Sequence, residues 1–209
     1  MDFTMIVVFL HLIATCMAVG TLVTVDLRLL TRVFDHDLVV APPHRLEIIT
    51  IVVALAGLYI TGIALVLLGL ADRADYLGNG KLQGKLALVL MLTGNALVLH
   101  RWVFPILHRA QPIATWTRSD WAMVALATSF SSSAWFFIAF LGIARAWNFV
   151  VTPGFVLLQA LGVWAGLYVL THVFLMLASR NLPKPSPNWI SAIAAHWNES
   201  NKLPRSRVQ

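Results

Sequence analysis

Four long stretches of this chain carry no Asp, Glu, Lys or Arg: Asp2 to Asp26, Glu47 to Asp72, Asp120 to Arg145, and Arg145 to Arg180, end residues excluded. A helix needs roughly 20 apolar residues to cross the hydrocarbon core of a bilayer, and each stretch is long enough. A fifth apolar segment, Leu86 to Leu107, is interrupted by Arg101. Lipid offers backbone groups no hydrogen-bond partners, so such spans are helical. The pattern predicts an all-α polytopic transmembrane bundle of about five helices, a four-helix core plus one. Composition points the same way. The 209 residues are 59% hydrophobic and 11% charged, whereas soluble domains carry roughly 25% charged residues. So little charge cannot cover a water-facing surface, which excludes a soluble enzyme.

The predicted spans are Thr4–Val25, Ile48–Leu70, Leu86–Leu107, Ala122–Ala144 and Phe155–Ser179. Ala41-Pro42-Pro43, Leu77-Gly78-Asn79-Gly80, Pro112 and Pro153-Gly154 mark the turns between them. No link is long enough to hold a separate domain, so residues 1–180 read as one bundle and 181–209 as a tail. The first span lacks a basic leader and a small-residue cleavage site, so it reads as a retained helix rather than a signal peptide. Arg28, Arg32, Arg45, Arg101, Arg109, Arg118, Arg180, Lys184, Lys202, Arg205 and Arg207 fall on one side. Arg73, Lys81, Lys85 and Arg145 fall on the other. That imbalance predicts the N-terminus outside and the C-terminus cytoplasmic, in the inner (plasma) membrane. Trp189, Ile190, Ile193 and Trp197 share one helical face, which suits a short interfacial helix. The net charge of +6 is explained by orientation and by contact with anionic lipid, so no nucleic-acid partner is expected.

Polar and ionisable residues within spans cost ~2.5–3.5 kcal/mol for a central charge and are functional candidates. Here they are His11, Asp26, Arg28, Lys85, Asn95, His100, Arg101, Arg145 and His172, with Ser129, Ser131, Ser132 and Ser133 in the fourth span. At ~1.5 Å per residue, His100 and His172 reach similar depths. Neutral imidazole binds iron, so two such histidines predict a b-type haem clamped between helices. His100 is the first choice of ligand, with His172 or His11 as its partner. Arg101, Arg28 and Lys85 would neutralise its propionates. The competing reading makes the same side chains interhelical hydrogen-bond glue. His36, His44, His108 and His196 lie in loops or at interfaces and read as solvated. His11, Thr15 and Asp26 fall within about 60° of one another on one helix, so this face looks into the bundle. There Asp26 would pair with Arg101 or His100, or else reach out to water. Gly162 and Gly166 form a GxxxG pair suited to packing within the bundle or against a second copy.

Two stretches carry a resemblance. One is His11-Leu-Ile-Ala…Gly20…Asp26-Leu-Arg-Leu-Leu, the other Lys85-Leu-Ala-Leu…Gly94-Asn-Ala-Leu…His100-Arg. They resemble bacterial membrane proteins with a D-L-R-L-L run, a group distantly similar to the copper-resistance-D-like and HemJ-like membrane proteins. The likeness covers the first four spans, roughly residues 4–147. It implies a four-helix core and haem at His11 or His100, with Lys85 and Arg28 as helpers. The expected function is therefore haem b-dependent electron transfer between a quinone-type donor and an acceptor. Copper or small-solute handling is the alternative, and a cofactor-free structural subunit is a third. Soft Cu(I) favours Cys and Met. Cys16 is the sole cysteine, and Met17, Met91, Met123 and Met176 form no close Met-x-x-Met series.

Overall fold

The structure, a computed structural model, describes residues 2–34, 42–109, 111 and 115–180. The predicted interfacial helix, the rest of the tail and His36 lie outside the described residues. The elements are α1 (Phe3–Phe34), α2 (Arg45–Asp72), a 3-10 turn (Tyr76–Gly78), α3 (Gly80–Val98), a π-helical turn (Leu99–Val103) and α4 (Phe104–His108). They continue with α5 (Arg118–Ile143), a second 3-10 turn (Arg145–Trp147) and α6 (Pro153–Arg180). With α3, the π turn and α4 taken as one rod, five helical rods are long and apolar enough to cross a membrane. No strand occurs among the described residues. The chain is a multi-pass, all-α membrane protein.

Local chemistry explains where the rods start. The Glu47 carboxylate accepts the His44 backbone N–H at 2.7 Å, closing the first turn of α2 behind Pro42-Pro43. Thr117 and Asp120 satisfy each other's backbone N–H groups at the head of α5. Asn79 caps α3, its Oδ1 accepting from Lys81 N at 3.1 Å. The third rod therefore starts at Gly80 rather than near Leu86, and both Lys81 and Lys85 lie inside it. Pro105 follows the π turn. A proline has no N–H for the carbonyl four residues back and its ring crowds that carbonyl. The widened turn ahead of it accommodates both.

Consecutive rods run antiparallel. One end of the bundle, called here the first end, gathers the start of α1, the end of α2, the start of α3, the end of α5 and the start of α6. The main core joins Ala18 and Leu22 of α1 to Ala54, Leu88, Leu92, Trp135, Ile138, Leu141 and Val156. A second, smaller core beyond the π turn holds Val103, Ile106, Leu107, Val124 and Ala127. Gly84 lets α6 seat on α3, since a Cβ there would stand 2.7 Å from Val156 Cβ. α5 is the enclosed rod, with 67% of its apolar window buried against 22% or less in every other span.

Candidate functional site

The stripe of α1 that faces the bundle carries two polar centres separated by the apolar plug of Ala18 and Leu22. At ~1.5 Å per residue, His11 and Asp26 stand about 22 Å apart along the helix.

The first centre is built on His11. Its Nδ1 lies 2.8 Å from Thr61 Oγ1 of α2. Thr61 donates its one hydroxyl hydrogen to the Gly57 carbonyl at 2.6 Å, so its oxygen can only accept from the ring. Nδ1 therefore carries the proton in the neutral imidazole, and the Nε2 lone pair is free to bind a metal or a proton. Gly62 leaves the ring edge uncovered, the nearest atom to a Cβ there being His11 Cε1 at 3.6 Å. Lys85 of α3 is close enough for its charge to act on His11. The Lys85 ammonium sits beside Gly142 of α5, 3.9 Å from where a Cβ would stand. Among the described residues no carboxylate pairs with it.

The second centre brings together residues 106 apart in sequence: Ser132 Oγ of α5 donates to Asp26 Oδ2 at 2.9 Å. Ser132 stands about 21 Å from the start of α5 and about 17 Å from its end. The carboxylate of Asp26 thus reaches the middle of the most enclosed helix. Ser129 and Ser133 donate to carbonyls of their own helix, Leu126 and Phe130. Arg28 bonds Glu47 through Nη2 at 2.7 Å, joining α1 to α2. Its charge is compensated within the protein.

Other predicted residues are not drawn into either centre. His100 and Arg101 are exposed on the π turn, and the ring contact of His100 is with Phe104 of its own rod, at 4.8 Å. His172 is exposed, with its ring 5.8 Å from Tyr168 of its own helix. No hydrogen bond or ring contact joins His100 to His172, or Asp26 to His100 or Arg101, among the described residues. Asn95 acts as glue, donating to the Ala127 carbonyl at 3.0 Å. Two features escaped the sequence reading. Tyr59 hydroxyl and Thr93 Oγ1 meet at 2.7 Å and tie α2 to α3. Trp164 Nε1 is buried without a hydrogen-bond partner among the described residues, its ring set edge-on to Phe130.

A b-type haem is tested against these side chains by donor chemistry. His11 would fit an iron ligand: its Nδ1 is fixed as donor to Thr61, the arrangement that orients metal-bound imidazoles, and its Nε2 has no hydrogen bond among the described residues. Lys85 fits a propionate partner. Three-residue His, Cys, Asp or Glu clusters suited to a bare metal ion are absent among the described residues. Cys16, Met17, Met91 and Met176 are exposed on three different helices. No protein-family model, curated protein or solved structure matches the chain.

Proposed function

We propose that the protein is a haem b-binding membrane protein that passes electrons between a quinone-type donor and an acceptor, with His11 rather than His100 as the principal ligand. The observation that carries this reading is the placing of an imidazole, whose Nδ1 is engaged by Thr61, near a lysine that no carboxylate pairs among the described residues. His11 would hold the iron through Nε2, and Lys85 would balance a propionate. Bound haem supplies one-electron chemistry. The protein's own part is to fix the His11 tautomer through Thr61, to hold Lys85 against Gly142, and to keep the first centre apart from Asp26 with Ala18 and Leu22.

The test is an absorption spectrum, oxidised and dithionite-reduced, of protein purified in mild detergent from haem-supplemented cells. The expected result is a sharp reduced α-band that His11→Ala abolishes and Thr61→Val shifts or weakens. His100→Ala and His172→Ala should retain it. A featureless spectrum at full haem supply sinks the reading. The unpaired Lys85 then favours the alternative, a membrane protein that handles a small anionic solute without haem.

A further inference from the structure

We propose that the first end of the bundle holds an oxyanion site, for a carboxylate or a phosphate group, formed by Lys81, Lys85 and Arg145 and leading inward to His11. The site shares Lys85 with the haem reading above, whereas Lys81 and Arg145 take no part in that reading, so the site is tested on haem-free protein.

Its basis is a run of cations with no ion-pair partner among the described residues. Lys81 lies in the first turn of α3 and Lys85 one turn on, so the two share a face. Lys81 is only 9% exposed, and its Nζ donates to the Ala144 carbonyl at 3.2 Å, where α5 has just ended. Arg145 is the next residue. The Lys85 ammonium lies against Gly142, one turn back along α5. Lys81 and Lys85 therefore converge on the junction between the head of α3 and the tail of α5, with exposed Arg145 next in sequence to the carbonyl that Lys81 meets. Their charges act on one another in series: Arg145 on Lys81, Lys81 on Lys85, and Lys85 on His11.

Asp75 is held by Arg73, Nη2 to Oδ2 at 2.9 Å. Asp2 and Asp72 also lie at this end, and no ion pair joins either of them to these cations among the described residues. The ion pairs among the described residues are Arg28–Glu47, Arg73–Asp75 and Arg109–Asp120, and none involves this group. Like charges at helical spacing repel, and a cation withdrawn from water needs a partner. The protein nevertheless fixes this arrangement firmly. Asn79 Oδ1 accepts from both Lys81 N and Phe149 N, and Phe149 is held at φ 58°, a left-handed conformation unusual for a bulky side chain. The Arg73 guanidinium covers the Phe149 ring at 3.8 Å. The two loops beside the cations are thus locked to each other. An oxyanion supplies the missing charge, either as a free solute or as the phosphate of a lipid headgroup.

The experiment uses the full chain in phosphatidylcholine nanodiscs. The thermal unfolding midpoint is followed in rising sodium phosphate and, separately, sodium acetate, with ionic strength held constant by sodium chloride. The expected result is a saturable rise in midpoint that Lys81→Gln and Lys85→Gln each abolish and Lys85→Arg retains. If the source is lipid, discs containing phosphatidylglycerol raise the wild-type midpoint instead and remove the response to phosphate. The two glutamine variants then lose that lipid-dependent gain. No rise with phosphate, acetate or phosphatidylglycerol overturns the proposal, as does a rise that both glutamine variants keep. Should Lys85→Gln fail to fold, Lys81→Gln and Arg145→Gln carry the test. Because unfolding is the readout, a protein that binds no haem still tests the site.

Discussion

The proton on Thr61 determines what His11 can do, and the hydroxyl of Ser132 does the same for Asp26. Each is a short polar side chain on a neighbouring helix that meets an ionisable group on α1. Interhelical hydrogen bonds in membranes average only about 0.6 kcal/mol, with a maximum near 1.7. Bonds to charged groups are stronger, roughly 1.5–3 kcal/mol. Ser132→Ala should therefore cost about 1–2 kcal/mol of stability, read as a lowered unfolding midpoint in detergent. Asp26→Asn, which still accepts from Ser132, should cost less than Asp26→Leu. Equal losses for the two Asp26 variants would show that the hydrogen bond contributes nothing. That α1 carries a polar inward face is legible in the sequence, because His11, Thr15 and Asp26 share a helical side. The partner of Asp26 is not. Depth counted from the charged ends of the spans aligns Asp26 with His100 and Arg101. The offset that brings it to Ser132 is set by how α1 packs on α5, which charge positions along the chain do not report.

At the level of elements, hydropathy located all five rods, and errors arose where capping or proline chemistry overrides it. The Asn79 cap starts α3 ahead of its apolar run and converts Lys81 from a loop residue into a helical neighbour of Lys85. Pro105 is visible in the sequence, but its effect, a widened turn at Leu99–Val103, depends on helix geometry that hydropathy does not report. A π turn amounts to one extra residue in an α-helix, and this predicts which deletions the rod tolerates. Removal of exposed Trp102 together with Pro105→Ala should restore a continuous helix with Val103, Ile106 and Leu107 still facing α5. Removal of exposed Leu90 rotates everything beyond it by about 100° and should abolish the folded protein. Size-exclusion profiles and unfolding midpoints of the two deletions compare them directly. Similar behaviour would mean that the turn is not a stored insertion.

For the whole molecule, the uncovered side of α6 and the enclosure of α5 matter most. Gly162 and Gly166 are exposed, with nothing within 4 Å of a Cβ at either. Gln159 lies on the same helical face, exposed, with no hydrogen bond to its amide among the described residues. Small residues permit close approach and a glutamine amide in lipid seeks a partner, so a second copy of α6 would meet both needs at once. Gly162→Leu with Gly166→Leu should lower the dimer fraction seen by cross-linking in membranes, and Gln159→Leu should lower it less. An unchanged dimer fraction would remove α6 as the contact.

The enclosure of α5 bears on how the chain is made. Helices enter the membrane roughly in order of synthesis, and association follows insertion. In that order α1 and α2 can form the His11–Thr61 and Arg28–Glu47 contacts before the other helices are made. α3 follows with an uncompensated lysine. Asp26 has no Ser132 to meet, and the main core has no Trp135 or Ile138, until more than half of the protein has been translated. During that interval the nascent bundle is an open clamp, and any insertion factor that shields Asp26 and Lys85 from lipid must act before α5 arrives to displace it.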